Sequence, residues 1–227
     1  MSERSIHPSP ETVVKRARET RGSSNDAIYS MVANELRSRG IQSGILYDVG
    51  CGAGKLAEHV EPYISSYVGV DVVDYGTIAP PARFIKADLD QVPWPLAEAA
   101  ATVVTSVETI EHLENPRLHL RQLTRIVEPG GLVLVTTPNN LSWLSLFTLA
   151  YKGMFNAFQE RPGSYPAHIT ALVEIDLVRI ARECGLVEIR TRFTDAGRIP
   201  GTARHWPSML RGRRFSDNLL VSGIRPT

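Results

Sequence analysis

Residues 45–54, ILYDVGCGAG, constrain this chain more than any other stretch. Residues 45–49 are apolar and too short for a helix, so they read as a buried strand. The strand opens into Gly50-Cys51-Gly52-Ala53-Gly54, and residues 55–63, KLAEHVEPY, then run as a helix. A strand feeding a glycine turn feeding a helix is the layout of a nucleotide-type site. Glycines make the turn sharp and bring bare backbone to the ligand, so a Cβ at Gly50 or Gly52 is expected to fill the ligand's space. The third glycine comes one place too early for the dinucleotide fingerprint G-x-G-x-x-G, and Lys55 stands where that motif ends. An oxidoreductase using a dinucleotide is therefore disfavoured.

The rest of the chain alternates strands with helices. Residues 67–71 (YVGVD), 82–86, 101–106 (ATVVTS) and 132–137 (LVLVTT) read as further strands. Asn25 or Asp26 caps a helix to about residue 39, with Ile28, Val32 and Leu36 on one face. Pro116 opens a second helix over residues 117–127, stopped by Pro129-Gly130-Gly131. Residues 171–184 read as a third, with Leu172, Ile175, Val178, Ile180 and Ala181 inward and Gly185 at its end. This alternation implies an α/β fold on a mostly parallel sheet, with ligands beyond the sheet's carboxyl edge. Asp48, Asp71, Asp88, Ser106 and Pro138 all fall at such strand ends. Asp71 has the spacing of a ribose acceptor; its other reading is a turn cap.

Residues 1–24 are polar and Arg-rich and are expected to be a flexible segment, with a loose helix over 11–21. Residues 25–227 read as a single domain: 227 residues in all, 43% of them hydrophobic, suffice for one full core. A net charge of +1 offers no electrostatic case for nucleic acid. Cys51 and Cys184, the only cysteines, exclude a disulfide framework and a cysteine zinc site and fit a reducing cytoplasm. No apolar run has the length of a membrane span, and the N-terminus lacks a signal-peptide core. Residues 139–168 are long for a connection and apolar in their first half, so a helical lid over an acceptor pocket is expected there.

D-x-G-x-G-x-G at Asp48–Gly54, the acidic strand end at Asp71, and the run PGG-LVLVTTPN at 129–139 together resemble the class I S-adenosylmethionine (SAM)-dependent methyltransferases. The resemblance implies a Rossmann-like three-layer sandwich with a seven-stranded sheet whose last strand is antiparallel, the lid being an insertion after the fifth strand. It implies SAM as cofactor, leaving S-adenosylhomocysteine. By resemblance Asp48 orders the loop and the bound ammonium. Gly50, Cys51, Gly52, Asp71, Asp88 and Val107 contact the cofactor, Leu89 packs on adenine, and Gly54 and Ser106 complete the set. Arg16 or Arg18 would reach the SAM carboxylate, as an arginine does in the ubiquinone-pathway enzymes.

The second half resembles the small-molecule and sugar O-methyltransferases, so the implied reaction is methylation of a small metabolite or sugar, most directly at a hydroxyl, whose proton needs a base of near-neutral pKa. His112, His168 and Glu111 are the expected catalytic groups; the alternative for each histidine is pinning a loop through a backbone carbonyl. Glu108-x-x-Glu111-His112 also resembles the E-x-x-E-H run that holds a divalent cation in the ubiquinone-pathway enzymes, so Mg²⁺ or Mn²⁺ there is the alternative to no metal. The lid's apolar content suggests an apolar or ring-shaped acceptor, a lipid quinone and peripheral membrane contact included. Arg198, Arg204, Arg211, Arg213 and Arg214 would instead grip an anionic one. An amine acceptor and a non-catalytic SAM-binding scaffold stay open.

Overall fold

A computed structural model describes residues 10–19, 22–78, 80–159, 168–195 and 197–227. The expected flexible start, residues 1–9, and the end of the expected lid, residues 160–167, lie outside the described residues.

The strands are β1 (Ile45–Val49), β2 (Ser66–Asp71), β3 (Arg83–Lys86), β4 (Ala101–Ser106), β5 (Val127–Pro138), β6 (Val187–Phe193) and β7 (Asn218–Ile224). They form one seven-stranded sheet in the order β3-β2-β1-β4-β5-β7-β6. The first five are parallel, and β7 runs antiparallel to both β5 and β6. The order reverses between β1 and β4, which places a crevice at the carboxyl ends of those two strands.

Helices cover both faces because the central strands alternate their apolar side chains between them. Val104, Val133 and Val135 pack on α4 (Pro116–Ile126) and α6 (Glu174–Glu183) through Leu123, Ile126, Leu177 and Ile180. Val103, Leu132 and Leu134 pack on α2 (Asp26–Ser38) and α3 (Leu56–Val60) through Val32, Leu36, Leu56 and Val60. Asn25 caps α2 by accepting the Ile28 N–H at 3.1 Å. Glu35 on α2 is the polar tie to the far edge of the sheet: its carboxylate meets Arg39 at 2.9 Å, Arg192 of β6 at 3.0 Å and the Ser222 hydroxyl of β7 at 2.8 Å.

Several boundaries differ from expectation. The helix expected over 55–63 is α3 followed by a 3-10 turn, Glu61–Tyr63, because Pro62 has no N–H with which to continue an α-helix. β5 runs through Pro129-Gly130-Gly131 and begins at Val127. The phase of α6 is also shifted: Leu177, Ile180 and Ala181 are buried, whereas Ile175 is 46% exposed. Residues 177, 180 and 181 keep the i, i+3, i+4 spacing of one face; Ile175 lies more than half a turn away from that face. The segment expected to be flexible contains α1 (Pro10–Glu19), and the lid contains α5 (Trp143–Lys152) and a 3-10 turn, Asn156–Phe158.

Candidate active site

A cavity of about 1460 Å³ opens beyond the carboxyl ends of β1, β2, β4, β5 and β6 and the amino end of β7. Its centre is the glycine turn. The Gly50 N–H donates to Val70 O at 2.7 Å, and the Gly52 N–H donates to Asp71 Oδ2 at 2.9 Å, so the turn is tied to the end of β2. Gly50 (φ +82°) and Gly52 (φ +51°) both need the left-handed region. The reason for their lack of a side chain differs from expectation. A Cβ at Gly50 would lie 2.2 Å from Thr109 Oγ1, and one at Gly52 would lie 2.3 Å from Gly22 O. The glycines make room for the chain itself, which closes over the turn from two sides. Gly52→Ala therefore costs about 1–3 kcal/mol through overlap, on top of about 1–2 kcal/mol for its left-handed φ. Gly153→Ala, with φ +74° and nothing within 4 Å of its Cβ, carries only the second cost. Chemical denaturation of the two variants checks the difference.

Asp48 is 2% exposed, and both its oxygens are taken: Tyr67 donates to Oδ2 at 2.6 Å and Thr105 to Oδ1 at 2.9 Å. Burial pushes its carboxyl up to about 6 against those two bonds. Asp48 thus braces the turn from below as much as it meets the cavity. Asp71 accepts the Gly52 and Val73 N–H groups, one on each oxygen, which leaves a lone pair on each for a ligand. Burial raises its pKa, and those backbone bonds oppose the rise. Asp88 accepts the Asp90 N–H and Gln91 Nε2 at the next strand end. Leu89, Val107 and the Cys51 backbone complete this side of the cavity.

Two expected cofactor positions do not reach the cavity. Ser106 is fully buried, its hydroxyl 2.8 Å from His119 Nε2, because its place at the end of β4 turns it towards α4. His119 is correspondingly neutral, pushed down to about 3 by burial. Gly54 turns away as well: its N–H donates to Cys51 O, and a Cβ there would meet Ile78. Arg18 is exposed and does not line the cavity, and the Arg16 side chain lies outside the described residues.

On the other side of the cavity, His112 and His168 meet edge to face, ring centres 4.7 Å apart, with Phe158 against His168 at 5.3 Å. The Ile169 and Thr170 N–H groups donate to Glu111 O, which fixes the segment carrying His168 against the 3-10 turn Ile110–His112. Glu111 is fully buried behind this pair. Its Oε2 accepts from Thr137 at 3.1 Å, and its Oε1 has no hydrogen-bond partner among the described residues. Burial, then the charge of Glu108, holds its carboxyl well above the usual range. The expected metal trio is rearranged. Glu108, at φ +48°, is drawn aside by Thr136 (2.9 Å) and Asn218 (2.7 Å), and burial raises its carboxyl to about 7. The groups that do converge are Glu111, His112 and His168, with one ligand atom from each within 4.8 Å of the others.

Three of the five arginines are committed away from the cavity, and Arg204 is exposed and does not line it. Arg211 meets Asp195, Arg213 meets Glu174, and Arg214 donates to Leu141 O while stacking 5.4 Å from the Trp143 ring centre. Only Arg198 of the five lines the cavity, and Asp217 holds it at 2.6 Å. Sequence reasoning missed the cover over the glycine turn. Val13 and Ala17 of α1 line the cavity, Tyr75 donates to Ala17 O at 3.2 Å, and the Ala53 N–H donates to Gly22 O at 2.8 Å. The signal was a single apolar pair, four residues apart on a polar helix. Asn139 and Asn140, the buried asparagines after β5, were also missed as lining residues.

A family model described as "Methyltransferase domain" matches residues 27–193. A probable S-adenosylmethionine-dependent methyltransferase of Mycolicibacterium smegmatis is 26% identical over 193 residues, covering 83% of this chain and 68% of that protein. A ubiquinone biosynthesis O-methyltransferase of Leptothrix cholodnii is 27% identical over 170 residues, 71% of each chain. Among solved structures, the 1,6-didemethyltoxoflavin-N1-methyltransferase of Burkholderia thailandensis, with its substrate and S-adenosylhomocysteine bound, superposes with TM-score 0.62 at 13% identity, covering 96% of this chain and 87% of that one.

Proposed function

Because the chain belongs to the methyltransferase domain family and is a class I SAM-dependent methyltransferase, we propose that it methylates a hydroxyl oxygen of a small molecule, with His112 and His168 at the acceptor. The imidazole pair on the cavity wall, backed by buried Glu111, carries this reading. A hydroxyl is a poor nucleophile until its proton has somewhere to go, and imidazole suits that task near neutrality.

When bound, SAM supplies a methyl group on a cationic sulfur, already activated for in-line displacement. The chain's work is to hold the acceptor oxygen in line and keep water out. One imidazole would take the hydroxyl proton as the acceptor oxygen accepts the methyl group, and would then pass that proton to water. Cofactor contacts fall to the backbone of Gly50, Cys51 and Gly52, to Asp71 for the ribose, to Asp88 and Leu89 for adenine, and to Val107. Asp48 braces the turn. Residues 139–168 serve as the lid, and residues 25–227 as the single catalytic domain. The test is the linkage in the product: with isotopically labelled SAM and a panel of alcohols, phenols and amines, the label ends in a methyl ether. An N-methyl product alone, or S-adenosylhomocysteine binding with no turnover, rejects the reading.

The unpartnered Glu111 Oε1 favours a second reading, in which Glu111, His112 and His168 hold a divalent cation. One carboxylate oxygen and two imidazoles suit Mn²⁺, Fe²⁺ or Zn²⁺ better than Mg²⁺, which takes all-oxygen ligand sets, and the cation would lower the pKa of the acceptor hydroxyl. Chelation then abolishes turnover and one of added Mn²⁺, Fe²⁺ or Zn²⁺ restores it. Full turnover by protein shown metal-free by elemental analysis removes this reading.

A further inference from the structure

The three most exposed aromatic side chains of the lid's described residues do not face the acceptor. Trp143, Phe147 and Tyr151, on one face of α5, are 38%, 58% and 89% exposed. Among the described residues, the lid presents Ser142, Ser145, Asn156 and Gln159 to the cavity, with Leu144, Ala157 and Phe158 between them. The facing wall is polar too, made by Thr194, Asp195, Asp217 and Asn218 at the ends of β6 and β7. At the floor lie Glu108 and Asn140; Asn140 is 1% exposed, and its Oδ1 has no partner among the described residues.

This lining decides between acceptor chemistries. Many of these groups already bond one another: Ser145 accepts the Asn156 N–H, and Asn218 donates to the Glu108 carboxylate. An apolar ring would strip water only from their remaining lone pairs and N–H groups, but it would return nothing to them. An anionic acceptor would meet Glu108, Asp195 and Asp217, and among the described residues the one guanidinium on the wall, Arg198, is already held by Asp217. An uncharged ring with several hydroxyls both donates and accepts. It also has an apolar C–H face for Phe158, which stands edge to face with His168.

Resting on the O-methylation reading above, we infer that the acceptor is an uncharged polyhydroxylated ring, a sugar or glycoside, seated between the lid and the β6–β7 end. Its hydroxyls lie on the polar wall, and the one to be methylated lies at His112 and His168.

Saturation-transfer NMR and calorimetry on the full chain loaded with S-adenosylhomocysteine test this, using methyl glycopyranosides (gluco, galacto, manno and 6-deoxy) against catechol and a hexose 1-phosphate. At least one glycoside binds more tightly than catechol and the phosphate. Asp195→Leu keeps the bulk and removes a carboxylate whose ion-pair partner among the described residues is the exposed Arg211 at 3.4 Å. It weakens that glycoside about tenfold, the worth of one hydrogen bond, with S-adenosylhomocysteine affinity unchanged. Binding of no glycoside, or tighter binding of catechol or of the phosphate than of every glycoside, overturns the inference. A failure of the O-methylation reading is seen separately, as an N-methyl product or as turnover that survives His112→Ala.

Discussion

His112→Ala lowers kcat for hydroxyl methylation by about 100- to 10,000-fold, the span that a positioned general base contributes, and leaves S-adenosylhomocysteine affinity unchanged. The split follows from where the ring sits. His112 ends the 3-10 turn after β4, on the acceptor side of the cavity and stacked on His168. The groups assigned to the nucleoside, Asp71 and Asp88, line the opposite side. If the two imidazoles act as one unit, His168→Ala is comparably slow, and the double variant is far less impaired than the product of the single losses. Rapid-quench turnover with labelled SAM gives the rates, and calorimetry gives the affinities. A His112→Ala enzyme within a few-fold of the parent, on the same hydroxyl acceptor, contradicts the assignment.

Glu35→Ala destabilises the fold by about 3–5 kcal/mol, because it strands a buried cation. Arg39 is only 3% exposed at its side chain and faces Glu35 across 2.9 Å. The same carboxylate also holds Arg192 and the Ser222 hydroxyl, so its loss unfastens α2 from β6 and β7. Glu188, the other carboxylate near Arg39, is 66% exposed at its side chain, and Glu188→Ala costs under about 1 kcal/mol. Although burial works against ionisation of Glu35, its hydroxyl and guanidinium partners prevail and lower its pKa. The folded state therefore binds the proton less readily than the unfolded one. The contribution is present in full above the usual glutamate range and is lost as pH falls through it. Urea midpoints at pH 7 and pH 4 measure both effects: the gap between parent and Glu35→Ala narrows at the lower pH.

What the sequence made legible was whatever local periodicity and turn chemistry control. Strand ends could be read because a short apolar run stops at Asp48, Asp71 or Ser106, and the rim of the sheet follows from those stops. The direction in which a side chain leaves that rim could not be read. Ser106 ends its strand like the others, but turns to His119 on α4 instead of to the cavity. The lid shows the same gap on a larger scale. Its composition is apolar, but the small polar residues Ser142 and Ser145 are the buried ones, and Trp143, Phe147 and Tyr151 lie outward. Composition carries no direction, so it could not say which of the lid's side chains meet the cavity. The arginine run failed for a different reason. Its partners, Glu174, Asp195 and Asp217, are supplied by the fold, and charge counted along the chain does not show that they neutralise it.

The central claim is that one cavity holds the nucleoside at Asp71 and presents the reacting sulfur to His112 and His168. A crystal structure with S-adenosylhomocysteine tests it most directly. The account predicts ribose hydroxyls on the Asp71 carboxylate, adenine beside Asp88 and Leu89, and the thioether sulfur facing the imidazole pair. A nucleoside lying elsewhere, or a sulfur turned away from both histidines, would contradict it.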